Sequence, residues 1–126
     1  MRITHLYTGN DQQSHFGEID IPLDANGPYG SQTFPLPVES VNLRESPADR
    51  SLDFHPAPRR QLVITLRGQV EIEIGDGTKR RLGPGEVFLA DDTSGQGHIT
   101  RNIGGTTRHS VVIPLSPDFD PAKYRA

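Results

Sequence analysis

Apolar and polar residues alternate along most of this chain in short runs that turn-forming residues separate. Residues 70–74 are the clearest case, because every second residue is apolar, as in a strand with one buried face. Residues 61–67 and 87–90 are strand-length runs with more apolar positions, and residues 98–103 and 108–115 close the series. Glycine, proline and aspartate lie between the runs and suit tight turns. The pattern predicts an all-β chain.

The first half of the chain is less regular. Residues 2–8, 41–45 and 52–55 alternate over strand lengths, but residues 22–37 hold too many prolines and glycines for regular structure. After residue 115 there is no periodicity, and we expect a tail that wraps the outside or frays. Eight to ten short strands without a convincing helix predict a sandwich or a barrel, with an irregular N-terminal arm and a C-terminal tail. Periodicity does not choose between the two.

Composition limits the class of protein further. With 126 residues the chain is long enough for one core, and its 33% hydrophobic content, 13 glycines and 11 prolines suit short strands joined by turns. The absence of cysteine excludes a disulfide framework and a thiol nucleophile. We therefore expect a single domain over residues 1–126.

Charge and hydropathy exclude several kinds of partner. The net charge is −3 and the basic residues are scattered, so no nucleic-acid footprint is expected. The longest basic cluster, residues 79–81, is interpreted as a solvated hairpin arm. No apolar run approaches the roughly 20 residues of a membrane span, and the first residues do not resemble a signal peptide. We expect a cytoplasmic protein that binds neither membrane nor nucleic acid.

Two stretches of the second half carry a family resemblance. The first, about residues 54–68, contains Phe54-His55-Pro56-Ala57-Pro58-Arg59-Arg60-Gln61 and a strand that ends at Gly68. The second, about residues 83–102, contains Gly83-Pro84-Gly85, a strand, a polar loop and His98-x-x-x-Asn102. They resemble the two sequence motifs of the cupin superfamily. The resemblance implies a single double-stranded β-helix, or jelly-roll, barrel with a pocket at its centre.

The resemblance also implies a site. Cupins supply three histidines and one glutamate that converge on a divalent metal. Carried over position by position, His55 and His98 keep two of the histidines, whereas Ala57 replaces the third and Gln61 replaces the glutamate; Asn102 matches the asparagine of the second motif. The remaining His55, Gln61 and His98 set could bind Zn, Ni, Fe or Mn if water or substrate completes the coordination. The alternative is a pocket without metal, in which the two histidines only form hydrogen bonds.

Arg59 is a further candidate for the pocket. It has the same strand parity as His55 and Gln61, so it faces the pocket if the stretch is extended. A guanidinium there would repel a metal dication and attract a carboxylate, phosphate or enolate. Arg44, in a neighbouring predicted strand, could add a second positive charge. Alternatively, two prolines place Arg59 in a loop at the rim.

The other chemically capable side chains have plainer interpretations. Asp91 and Asp92 precede a histidine, as an acid–base pair could, but aspartates in a polar loop are ordinary turn formers. His109 shares the face of Val111 in the last strand and is interpreted as a satisfied core histidine. His15 is interpreted as a surface or turn residue.

Three functions remain open after these observations. The leading hypothesis is a cupin that binds a small molecule, an anionic metabolite, in a pocket lined by His55, Arg59, Gln61, His98 and Asn102. The alternative is a metal-dependent dioxygenase, isomerase or lyase, and the third is a structural or ligand-sensing partner protein. A chain this short and poor in hydrophobic residues gains from burial between subunits, and we expect a homodimer.

Overall fold

Twelve strands and one short 3₁₀ turn form the chain in a computed structural model that describes residues 1–126. The strands are β1 (Arg2–Thr8), β2 (Ser14–Asp20), β3 (Asp24–Gly27), β4 (Gly30–Gln32), β5 (Asn42–Ser46), β6 (Ser51–His55), β7 (Gln61–Arg67), β8 (Gln69–Glu73), β9 (Lys79–Leu82), β10 (Val87–Asp91), β11 (His98–Ile103) and β12 (Arg108–Pro114), and the 3₁₀ turn is Pro121–Tyr124. None of its helical structure has the length and hydrophobicity needed to span a membrane.

Strands β5 to β12 form a jelly roll. One sheet contains the order β10-β7-β12-β5 and the other the order β6-β11-β8-β9, and every neighbouring pair among them is antiparallel. The connections between the two sheets form two interlocked Greek keys, the arrangement that defines a jelly roll. The strand order confirms the all-β jelly-roll barrel that the resemblance implied.

The N-terminal arm is more regular than predicted. Strand β1 pairs in parallel with β10, and β2 pairs with β1, so the first sheet has six strands. A free edge at β10 would leave a row of backbone groups unpaired, and the arm covers it. Within the segment of residues 22–37, where breakers predict no regular structure, only the short β3–β4 hairpin forms.

The main core lies between the two sheets. In β8 and β10 every second side chain points into the barrel, as the period of two requires. The cluster consists of Leu6, Ala57, Val63, Val70, Ile72, Ile74, Leu82, Phe88, Ala90 and Val112. The packing leaves room for a cavity at one end of the barrel, next to β6 and β11.

A second apolar layer lies outside the six-stranded sheet. It consists of Ile3, Ile19, Ile21, Leu62, Leu89, Leu115 and Phe119. The C-terminal tail supplies Leu115 and Phe119, and Arg60 donates a hydrogen bond to the Phe119 carbonyl. The tail therefore packs against the sheet and does not fray. The first half of β7 and strand β10 are largely buried on both faces, which explains the apolar runs in their sequences.

Asp91 anchors this outer layer. It accepts hydrogen bonds from His5 Nε2 at 2.9 Å and Arg60 Nε at 2.8 Å. Burial opposes the ionisation of Asp91, but these two hydrogen bonds outweigh it and lower the pKa of the carboxyl group. The stability that ionised Asp91 contributes is therefore present above its ordinary pKa and is lost as the pH falls through the lowered one.

At Gly97, the residue before β11, the chain packs directly against the backbone at the end of β6. Its φ of +78° is left-handed, and a Cβ at this position would overlap the backbone carbonyl of His55. Gly77 offers a matched control, because its φ of +87° is also left-handed but its Cβ would meet open space.

We expect Gly97→Ala to cost on the order of 3 kcal/mol of unfolding free energy or more, because it adds a backbone clash to left-handed strain. Gly77→Ala should cost about 1–2 kcal/mol, since only the strain applies. Urea unfolding of both variants measures the difference. Equal losses of unfolding free energy in the two variants would show that the close approach of Gly97 to β6 does not contribute to stability.

Candidate functional site

A cavity of about 400 Å³ lies inside the barrel between the two sheets. His55 at the end of β6, Gln61 at the start of β7 and His98 at the start of β11 line it together. Arg44 from β5 and Arg108 from β12 line it as well, and none of the lining residues is acidic. The cavity thus combines imidazoles, an amide and guanidinium groups from five strands.

The two imidazoles lie next to each other. His55 and His98 are directly opposite in the β6–β11 pairing, and their ring centroids are 4.6 Å apart. The register shifts between His98 and Thr100, so a local irregularity in β11 follows the histidine pair. The sequence motifs are thereby brought together at one point of the barrel.

Each imidazole has its orientation set by an acceptor outside the cavity. His55 Nδ1 lies 2.7 Å from the Asp53 carbonyl, and His98 Nδ1 lies 2.6 Å from Asp92 Oδ2. Because a carbonyl and a carboxylate only accept, both Nδ1 atoms carry the proton. Neither Nε2 atom has a hydrogen-bond partner in the chain, so both remain available to a bound molecule.

Asp92 is the most deeply buried charged side chain of the site. Its side chain has no exposure to solvent, and its Oδ2 also accepts a 2.6 Å hydrogen bond from Ser14 Oγ in β2. Its Oδ1 has no partner at all. The interpretation of Asp92 as a turn former is therefore wrong: it faces inward with Phe88 and Ala90 of β10, whereas Asp91 faces the opposite side.

Arg108 carries an unusual buried charge. The residue is 7% exposed, its Nη2 donates to Thr65 Oγ1 at 3.2 Å, and its Nε is buried without a partner. Burial, with a smaller contribution from the nearby Arg44, lowers the pKa of Arg108 to about 10. A change of this size corresponds to roughly 3 kcal/mol of unfavourable free energy for holding the charge there.

Neither of the two arginines at the cavity has a carboxylate partner. Ion pairs hold Arg59, Arg60, Arg81 and Arg101 elsewhere in the molecule, but none involves Arg44 or Arg108. The charged side chains that line the cavity are therefore positive only. An anion would supply the missing counter-charge.

Arg59 does not reach the cavity, which corrects the prediction from its parity. Residues 56–60 are not part of a strand, because Pro56 and Pro58 interrupt the ladder, so the alternation does not carry over from His55. The Arg59 side chain is 57% exposed and pairs with Glu39 at 3.7 Å on the outer surface. The loop alternative that the prolines indicated is the arrangement observed.

Asn102 also lies outside the main cavity. Its Nδ2 donates to Ser46 Oγ and to the Pro47 carbonyl, both at 2.8 Å, and so it ties β11 to the turn between β5 and β6. It lines a smaller cavity next to the first one. Asn102 lies near the end of β11, whereas His98 begins this strand, so the prediction that both line one pocket is wrong.

Two further histidines lie on the surface. His109 points away from the cavity and contacts Glu45 at 3.0 Å with 39% of its side chain exposed, so its interpretation as a core histidine is wrong. His15 contacts Asp11 at 2.9 Å on the surface, as expected. The inward residues of β12 are those of the other parity, Arg108, Ser110 and Val112.

Sequence reasoning missed Arg108, Asp92 and Ser14. For Arg108 the signal was misleading, because Val111 and Ile113 are apolar yet face outward, where the C-terminal tail covers Ile113. For Asp92 the signal was present: adjacent residues of a strand face opposite sides, so one of two consecutive aspartates had to follow the inward parity of Ala90.

The donor set does not fit a tightly bound divalent cation. It offers two imidazoles and one neutral amide, with the methyl group of Ala57 where a third imidazole would be needed, and no carboxylate lines the cavity. The chain has no group of three or more His, Cys, Asp or Glu side chains arranged to hold a metal. Two guanidinium groups on the same cavity oppose a dication further.

Comparison with known proteins shows likeness to solved structures only. No protein-family model matches the chain, and no curated protein matches its sequence. The Cnp3 cupin domain of Schizosaccharomyces pombe is 18% identical with a TM-score of 0.48, over 91% of this chain and 84% of that one. NovW, a 4-keto-6-deoxy sugar epimerase from Streptomyces spheroides, is 18% identical with a TM-score of 0.42, over 94% and 71%.

A third structure is the SPY1581 protein of unknown function from Streptococcus pyogenes. It is 18% identical with a TM-score of 0.45 over 60% of this chain, and the match spans 64% of the streptococcal protein, less than two thirds of its length. Likeness at this level assigns no function to this chain.

We expect Asp92→Asn to reverse the tautomer of His98. An amide can donate a proton to Nδ1 where the carboxylate could only accept one, so the ring proton should move to Nε2. Long-range ¹H–¹⁵N NMR of the imidazole nitrogens reports the tautomer directly. Asp91→Asn is the matched control, because it contacts His5 and leaves His98 untouched; a His98 signal that stays Nδ1-protonated in Asp92→Asn would contradict the assignment.

Proposed function

We propose that this chain binds a small anionic molecule, a carboxylate or its enolate, in the cavity of the barrel. The observation that carries the proposal is the pair of arginines, Arg44 and Arg108, that line the cavity without any counter-charge. A buried guanidinium without a partner is costly to keep, so its place in this fold is best explained by a ligand that pairs with it.

The rest of the cavity suits the polar remainder of such a ligand. The Nε2 atoms of His55 and His98 and the amide of Gln61 offer acceptors and donors within a small space. Val63, Val70 and Phe88 are apolar residues of the same lining. This combination of an apolar wall and a few converging polar groups is typical of small-molecule sites.

A second candidate function is proton transfer to and from the bound anion, and the Asp92–His98 contact favours it. Nε2 of His98 would accept the proton of a C–H bond next to the carboxylate as that bond breaks. The electron pair would pass to the enolate, whose charge Arg44 and Arg108 would offset. Asp92 would stabilise the positive charge that the ring gains. A metal-dependent reaction at His55, Gln61 and His98 finds less support, because the donor set is too weak.

The expected homodimer stays a prediction. The outer face of the six-stranded sheet exposes Leu43 and Leu66, with 80% and 58% of their surface open. Burial of these side chains against a second copy would remove apolar surface from water.

Replacement of Arg108 by Gln tests the binding proposal. We expect small carboxylates and sugar acids to raise the melting temperature of the parent protein and to lose this effect, with at least a tenfold weaker affinity, in Arg108→Gln. Differential scanning fluorimetry and calorimetric titration measure both quantities. Arg59→Gln removes the same charge from the outer surface and should respond as the parent does.

Two results would oppose the binding proposal. If no anion in the panel stabilises the parent protein, the cavity does not select anions. If Arg59→Gln loses as much as Arg108→Gln, the response reports net charge and not the cavity.

The proton-transfer candidate predicts solvent exchange in a bound ligand. In D₂O the C–H next to the carboxylate should be replaced by deuterium, as followed by ¹H NMR, and His98→Gln should slow the exchange by about 100-fold or more. His109→Gln, a histidine on the outer surface, is the control. If a ligand binds through Arg108 but its C–H hydrogen does not exchange, the binding proposal stands and the proton-transfer candidate is wrong.

A further inference from the structure

A second cavity joins the first one at the arginine pair. Its volume is about 270 Å³, and it shares Arg44, Leu52, Thr100 and Arg108 with the cavity described above. Because the same side chains line both, the two cavities are adjacent, and a ligand held between Arg44 and Arg108 would lie next to both. Ser46 and Pro47, at the end of β5, line this second space, which is called the outer cavity from here on.

The outer cavity contains a third guanidinium. Arg50, in the turn between β5 and β6, lines it together with Arg44 and Arg108, and it too forms no ion pair within the chain. Its backbone is fixed, because the Arg50 nitrogen bonds the Pro47 carbonyl and the Arg50 carbonyl accepts from Asn102. Three unpaired arginines thus converge on one small space.

The acidic residue of this wall does not neutralise them. Glu45 borders the outer cavity, but its carboxylate contacts His109 Nε2 at 3.0 Å on the outer face of the sheet. Strand parity explains this, since Arg44 and Ser46 face inward and Glu45 lies between them. Elsewhere on the protein, exposed arginines such as Arg2 and Arg81 lie at ion-pair distance from a carboxylate.

We propose that the outer cavity is a second anion subsite, and that the ligand of this protein is an elongated molecule with two anionic groups. One group lies between Arg44 and Arg108, and the other, a carboxylate or a phosphate, lies near Arg50. The uncharged part extends inward to His55, Gln61 and His98. The inference rests on the proposed function, because the inner subsite is the one that the first anionic group occupies.

Matched ligand series test this assignment. Succinate, glutarate and adipate are compared by calorimetric titration with butyrate, valerate and hexanoate, which have the same lengths and one carboxylate. Phosphoglycolate is compared with glycolate, so that the two kinds of second anion are distinguished. The best doubly anionic ligand should bind at least about tenfold more tightly than its singly anionic match.

Variants separate the two subsites. Arg50→Gln should abolish the tenfold gain and leave the affinity for the singly anionic ligands unchanged, whereas Arg108→Gln should weaken both series. Arg59→Gln, which removes an exposed charge outside both cavities, should change neither. Because Arg50 lies in an exposed turn, its replacement does not threaten folding.

Each other outcome overturns the inference in a distinct way. If singly and doubly anionic ligands bind equally and both depend on Arg108, the second subsite is wrong and the proposed function stands. If Arg50→Gln weakens both series equally, Arg50 contributes only a general field. If no anion binds the parent protein, the proposed function falls together with the second subsite.

Discussion

A carboxylate without any exposure to solvent, that of Asp92, joins three separate parts of the barrel. Its side chain accepts from Ser14 in the N-terminal arm and from His98 in the second sheet, and its backbone carbonyl accepts from Ala57 in the first motif. Taking a charge out of water is costly, and hydrogen bonds from each side offset that cost. The same contacts set the tautomer of His98, so the fold and the chemistry of the cavity depend on one group.

The arginines that line the cavity have no such compensation. Arg108 is nearly as buried as His98, but its side chain forms a hydrogen bond only with Thr65, and a second positive charge lies nearby. The fold therefore includes a positive region that its own side chains do not neutralise. Such a region destabilises the free protein and favours any ligand that brings negative charge, which is how stability is exchanged for binding at many sites.

The sequence predicted the strands well and the site less well, for one physical reason. Alternation shows which side chains share a face, but it identifies the inner face only where the residues of the outer face are polar. Strand β8 meets that condition through Glu71 and Glu73, whereas β12 does not, because the tail covers its outer side near Ile113. The sequence therefore did not determine whether Arg108 or His109 faces the inside of the barrel, and the prediction that His109 does so was wrong. Around Arg59 the two prolines broke the alternation itself.

Buried polar atoms without hydrogen-bond partners give further evidence about the cavity. Two buried side-chain atoms have no partner in the chain, Asp92 Oδ1 and Arg108 Nε. Folded proteins satisfy nearly all such atoms, so the exceptions call for an explanation by function. Here they fall behind the histidine pair and on the cavity wall, and nowhere else in the molecule. The Arg108 Nε atom is closed to solvent, so an anion between Arg44 and Arg108 would compensate this side chain through its charge, which no carboxylate of the chain supplies. On this ground the cavity is incomplete without a ligand.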